Sequence, residues 1–324
     1  MSTNAILQST QQVTRNRSLT VGATIKVLRF FTGVIRFVAT VIRSVAGVIM
    51  FVAEMIARLR ANLECRSSIP RPDDIFVVTY PRSGTTWVQM ILYQLFTDGE
   101  MDFAHIQEWS PYYEDWIIDD RSFEHLPSPR VFKSHLKYKR VPKVPCKYIY
   151  VVRNGKDVAL SLFHFSRTNH ILSLTHRNFM GDFGEFFELF LKGKVVGSWF
   201  KHVSQWWENR QNLNVLFLTY EELTSNREQA IRKIIDFCGK EVEPETFSRI
   251  VERSSFAFMK QHEDKFDPII GTLVDRGMKT GNFIRKGEVG GWKEYLSSEQ
   301  EELFQRRFTK HLNMLSAELK DIIK

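Results

Sequence analysis

The sequence predicts an α/β protein, in which buried strands alternate with amphipathic helices, preceded by a separate amphipathic apolar helix. Three observations predict it. Ile75–Val78, Lys147–Val152 and Asn214–Tyr220 are short apolar runs of the kind that form strands buried in a sheet. Stretches with helical spacing, Trp87–Phe96, Val158–Phe165, Phe183–Asn209 and Ser225–Cys238, fall between and after them. Residues 19–60 form a long Val/Ile/Phe-rich run with Arg29, Arg36 and Arg43 seven apart. The 324 residues, 43% apolar and 13% aromatic, suffice for one large α/β domain plus an appendage.

The chain divides in order. Residues 1–18 are polar and predict disorder. Residues 19–60 place Gly22, Lys26, Arg29, Gly33, Arg36, Thr40, Arg43 and Gly47 on one helical stripe, leaving a wide apolar face. Four readings are open there. One is a helix lying on a membrane surface with its arginines reaching for anionic headgroups. The others are a single-pass anchor, which would bury Arg43 at a cost of about 2.5–3.5 kcal/mol, an organelle-targeting peptide, and a helix packed on the domain or on a second copy. The regular charged stripe favours the first, for a cytoplasmic protein peripheral on a membrane. Residues 61–72, with Pro70 and Pro72, predict a linker, and 73–324 the main domain.

The net charge of +8 is uneven, because residues 1–60 hold eight Lys and Arg against Glu54 alone. The domain itself is nearly neutral, which weighs against a nucleic-acid partner. Cys65, Cys146 and Cys238 are odd in number and far apart. They suggest neither a disulfide framework nor a metal site, and they suit a reducing compartment.

The domain is organised around Asp74-Ile-Phe-Val-Val-Thr-Tyr-Pro-Arg-Ser-Gly-Thr-Thr-Trp87. Pro81 stops the strand, Gly84 lets the backbone bend closely, and Thr85 and Thr86 open a helix. A strand, a glycine loop and a helix N-terminus aim free N–H groups at an anion, and Arg82, Ser83, Thr85 and Thr86 add side-chain donors, so a phosphate site is expected. No lysine follows Gly84, so the loop is not a Walker A motif.

Arg130–His135 predicts a second strand, with Lys133 and His135 two apart on one side. Lys147–Val152 is the third strand, and Asp157 is read as the cap of the helix that follows. Asn214–Tyr220 is read as a fourth buried strand, with Glu221 and Glu222 in a polar turn. Between the first two strands lie Phe103, Trp109, Tyr112, Tyr113 and Trp116, candidates for a pocket wall or for the core. Glu108, Glu114 and Asp115 are read either as a feature suited to an amine or as a solvated loop.

Thr79–Trp87 resembles the 5'-phosphosulfate loop of the cytosolic-type sulfotransferases, enzymes that move a sulfuryl group from 3'-phosphoadenosine 5'-phosphosulfate (PAPS). Lys133-Ser-His135, Arg153 with Ser161, and Phe283–Trp292 resemble three further family motifs in the same chain order, and the resemblance spans residues 72–310. It implies a P-loop-like central parallel sheet with helices on both faces. It implies His135 as general base, Lys133 and Arg82 as charge-stabilising groups, and a donor site of Arg82, Ser83, Gly84, Thr85, Thr86 and Trp87. Arg153, Ser161, Arg285, Lys286 and Gly287 would hold the 3'-phosphate, and Tyr220, Ser254, Phe256 and Met259 would lie beside the adenosine. A small-molecule acceptor and no metal are implied. Arg82 stands where the family has lysine. Ser297 and Ser298 replace Thr-Val in the dimer motif, which argues against the family dimer. The other readings are a P-loop phosphotransferase and a membrane-tethered nucleotide-binding scaffold.

Overall fold

The structure, a computed structural model, describes residues 70–115, 123–168, 181–267 and 283–323. The expectations for residues 1–18, 19–60 and 61–69, and for Trp116, lie outside the described residues. Among the described residues no helix is long and apolar enough to cross a membrane.

The expected parallel sheet is present. Strands β1 (Ile75–Thr79), β2 (Val131–Ser134), β3 (Lys147–Val152) and β4 (Asn214–Thr219) run in the order β2-β1-β3-β4, every pair parallel. All five residues of β1 are buried, as a central strand between two covered faces requires. Helix α1 (Thr85–Phe96) follows β1, and α2 (Gly155–Thr168) follows β3. The chain then forms α3 (Phe183–Leu191) and α4 (Trp199–Glu208), with α5 (Tyr220–Ser225), α6 (Arg227–Cys238), α7 (Pro244–Arg253) and α8 (Phe256–Gln261) after β4. Two further helices, α9 (Ser298–Leu312) and α10 (Ala317–Ile323), complete the described chain.

Three local expectations are corrected. The strand β4 is an edge strand: Asn214 is exposed and only Leu218 and Thr219 are buried. Periodicity cannot tell an apolar edge strand from a central one. Glu221 and Glu222 sit in a helix, not a turn, because the Thr219 hydroxyl accepts from Glu222 N while the Glu222 carboxylate accepts from Thr219 N. The cap of α2 is Asn154, whose Oδ1 accepts from Lys156 N at 2.9 Å and Asp157 N at 3.3 Å.

One face of the sheet carries the large apolar cluster that joins Val77, Ile149 and Val151 to Ile91, Leu92, Ile231 and Ile234. Tyr150 projects into a separate aromatic layer, stacked on Trp206 at 5.1 Å between centroids. Trp199, Phe200 and Trp206 of α4 are fully buried in the core as expected, while Trp207 is only half-buried, against Phe217 and Arg210.

At the N-terminal edge of the sheet Asp74 and Arg130 form a buried two-point ion pair, Nε to Oδ1 at 2.8 Å and Nη2 to Oδ2 at 2.6 Å. Asp74 also accepts from Arg71 N. Neutralising one partner of such a pair leaves the other charge buried and undercompensated. Asp74→Asn is therefore expected to cost about 3 kcal/mol, near the low end for a broken buried pair, read by urea denaturation. A loss below about 1 kcal/mol, the scale of an exposed pair, would contradict this account of the edge.

Candidate active site

All four strands point their C-terminal ends at one edge, and the sheet order reverses beside β1, the position where open α/β sheets form a crevice. The residues immediately after each strand are Tyr80–Trp87, His135, Arg153 and Tyr220, the stretches singled out from sequence. Each of the four contributes residues to the wall of a cavity of about 680 Å³.

The loop after β1 has the expected geometry. Arg82 and Gly84 both adopt positive φ, +70° and +101°, and a Cβ on Gly84 would meet the Tyr220 ring at 3.1 Å. Glycine is thus required by conformation and by close approach. Gly84, Thr85, Thr86 and Trp87 line the cavity at the start of α1, where first-turn N–H groups have no intrahelical acceptor. Trp87 is fixed by its Nε1–H donating to Ser254 O at 2.7 Å and by edge contact with Tyr220.

Arg82 is held by contacts within the chain itself. Its guanidinium lies between the rings of Phe165 and Phe283, at 4.6 and 4.7 Å from their centroids. Its Nη2 donates to Phe283 O at 2.7 Å and its Nε to Ser161 Oγ at 3.2 Å. Burial, then the Arg153 charge, push its pKa down to about 10, so it stays cationic at neutral pH. Arginine at this position therefore ties the loop after β1 to the segment that begins at Phe283.

Arg153 lies 4.0 Å over the Tyr220 ring and donates to Glu288 O and Arg82 O. Its Nε is buried without a hydrogen-bond partner among the described residues. The Arg285–Gly287 loop closes the same side. A Cβ on Gly287, at φ +67°, would come within 2.6 Å of Phe256. Asp157, read from sequence as a cap, instead accepts from Gly290 N at 2.7 Å and Trp292 N at 3.3 Å, anchoring that loop from α2.

His135 faces the cavity beside Lys133 and Tyr112. Its Nδ1 lies 2.9 Å from Thr79 O. A carbonyl only accepts, so the proton is on Nδ1 and Nε2 carries a lone pair. Burial, reinforced by the Lys133 charge, pushes its pKa down to about 3, so the ring is neutral at physiological pH.

Of the residues expected at the donor site, Arg82, Gly84, Thr85, Thr86, Trp87, Arg153, Ser161, Tyr220, Phe256, Met259, Arg285, Lys286 and Gly287 line the cavity, with Lys133 and His135. Ser83 and Ser254 sit fully buried behind its wall. Among the aromatics considered for a pocket, Tyr112 lines the cavity, while Phe103 and Trp109 pack with Tyr93 in the core. Glu114 is no solvated residue: its carboxylate accepts from the His135 backbone. Sequence reasoning missed Gln107, Val196, Thr224 and Arg227 on the wall. Thr224 follows Tyr220 by one helical turn, a usable signal; Gln107, Val196 and Arg227 carry none. Among the described residues no group of three or more His, Cys, Asp or Glu is placed to hold a metal ion.

Comparison with known proteins defines the class. The family model described as a sulfotransferase domain matches residues 72–316. Rabbit (Oryctolagus cuniculus) amine sulfotransferase is 38% identical over 253 residues, 75% of this chain and 81% of that relative. Human sulfotransferase 1C2 is 35% identical over 256 residues, 75% of this chain and 84% of that relative. The crystal structure of mouse sulfotransferase SULT7A1 complexed with PAP superposes with a TM-score of 0.63 at 29% identity, covering 83% of this chain and 93% of that one. The chain belongs to the sulfotransferase family and is an enzyme of that family.

Arg82→Lys loses the planar group that lies between the two rings while bonding Phe283 O and Ser161 Oγ at once. A cation–π contact contributes about 0.5–2 kcal/mol, so exchange of the Ile284 and Gly290 amides, which are bonded to Glu263 and Asp157, is expected to rise by about tenfold or more in the variant. Unchanged exchange there would show that Arg82 does not hold the loop.

Proposed function

We propose that the enzyme transfers a sulfuryl group from PAPS to a hydroxyl, phenol or amine of a small-molecule acceptor, with His135 as general base. One observation carries the reading: a neutral imidazole, its Nδ1 proton committed to Thr79 O, faces a cavity walled by Arg82, Lys133, Arg153, Arg285 and Lys286. That charge suits a multiply anionic donor, and the complex of the mouse structure with PAP supports the same assignment. The unpartnered Nε of Arg153 and the first-turn N–H groups of α1 are donors suited to phosphate oxygens.

In the proposed step, Nε2 of His135 takes the acceptor proton as the acceptor atom bonds to sulfur. The bond from sulfur to the 5'-phosphate oxygen breaks, and the electron pair leaves with 3',5'-adenosine bisphosphate (PAP). Lys133 and Arg82 offset charge that grows on the transferring group and on the leaving oxygen. A base with a pKa near 3 is weak. Donor anions beside Lys133 and Arg82 offset two of the charges that depress it, which moves the ring toward its ordinary value of about 6.5. The name of the rabbit relative supports amines among the acceptors to be tried.

Transfer from labelled PAPS to a panel of phenols, alcohols and amines tests the reading. The intact protein is expected to turn over at least one acceptor. His135→Ala is expected to lose about 10²-fold or more in kcat, the usual worth of general-base catalysis, with its affinity for PAP retained. Undiminished turnover in His135→Ala would remove the histidine from the mechanism.

A further inference from the structure

The pairing of β2 with β1 ends at Ser134 opposite Val78, so the peptide groups of His135 lie one residue beyond the ladder. A buried backbone N–H or C=O without a partner is costly, and both must be satisfied another way. Side chains from two distant segments do this. Glu114 Oε1 accepts from His135 N at 2.7 Å and from Ser134 Oγ at 3.2 Å. His202 Nε2 lies 3.2 Å from His135 O and donates to it. Tyr150 OH, 2.9 Å from His202 Nδ1, supplies the complementary donor and fixes the His202 tautomer.

We propose that Glu114 and His202 are positioning residues for the base, one gripping the N–H and the other the C=O of His135 and so aiming its imidazole at Thr79 O and into the cavity. The inference rests on the reading of His135 as general base. Each partner is itself held. Lys133 N donates to Pro111 O, and Tyr112 bridges to Lys133, so the segment carrying Glu114 extends the outer edge of β2. His202 is 2% exposed on α4, and burial pushes its pKa down to about 4, which keeps it neutral with its proton on Nε2. The next residue is fixed in the same manner, Leu136 N by Ser134 Oγ and Leu136 O by Trp206 Nε1. Side chains thus continue, residue by residue, a ladder that the backbone has ended.

Burial pushes the Glu114 carboxyl up to about 7, so glutamine reproduces both its acceptor and much of its charge state. Glu114→Leu is expected to lower kcat at least tenfold while the Kd for PAP stays within twofold, and Glu114→Gln is expected to stay within threefold of the wild-type kcat. His202→Leu is expected to behave as Glu114→Leu does, with His202→Gln recovering part of the loss because its amide can still donate to His135 O. Three results would overturn the proposal: a kcat within twofold of wild type in a Leu variant that binds PAP, an equal loss in the Gln and Leu variants, or a parallel loss of PAP affinity. Exchange of the His135 amide proton decides the clamp without any acceptor. It is expected to accelerate at least tenfold in Glu114→Leu and not in Glu114→Gln, and unchanged exchange would refute the clamp. Wild-type turnover in the same assay decides the sulfotransfer reading separately.

Discussion

At the C-terminal edge of the sheet the hydrogen-bond ladder stops, and every polar backbone group beyond it needs another partner. The site is built out of that requirement. Thr79 O, at the end of β1, accepts the Nδ1 proton of His135 instead of a strand N–H. The start of α1 leaves its first N–H groups toward the cavity, and Asn154 caps α2 so that Arg153 can turn inward. Four strands in parallel deliver these groups to a single edge. An antiparallel partner in the sheet would have sent one of them to the opposite end, away from the site.

The second constraint is electrostatic. Several guanidinium and ammonium groups share one cavity, and burial and mutual repulsion lower the pKa of Arg82. Part of that cost is offset by arranging the cations over rings and carbonyls: Arg82 between Phe165 and Phe283, Arg153 over Tyr220. These contacts hold the cations apart and oriented before any anion arrives, which is the preorganisation that electrostatic catalysis depends on. They also explain how arginine is accommodated where the family resemblance leads one to expect lysine: its planar group stacks, which an ammonium does less well.

Much of this was legible from residues adjacent in the chain. Ile75–Val78, Pro81 and Gly84 specify a strand, a stop and a tight turn by local chemistry, and the loop formed as read. The resemblance of Lys133-Ser-His135 and Phe283–Trp292 to family motifs placed both beside that loop, and they line one cavity with it. What escaped depends on partners far along the chain. Asp157 bonds residues more than 130 positions away, and nothing local distinguishes that from a helix cap. Glu114 was open to two readings, a group suited to an amine or part of a solvated loop, yet its acceptor role is set by a strand end 21 residues on. The apolar run of β4 was read as a buried strand, but its neighbours, not its composition, decide which strand forms the edge.

The central claim is that His135 enters the reaction as a neutral imidazole, protonated on Nδ1 and open at Nε2. Nitrogen-15 NMR of the ring in the intact, ligand-free protein, titrated from pH 7.5 down to the limit of stability, reads this directly. The account predicts a single tautomer with Nδ1 protonated and no titration until well below pH 5, in keeping with a pKa near 3. A ring that titrates near its ordinary 6.5, or that carries its proton on Nε2, would contradict it.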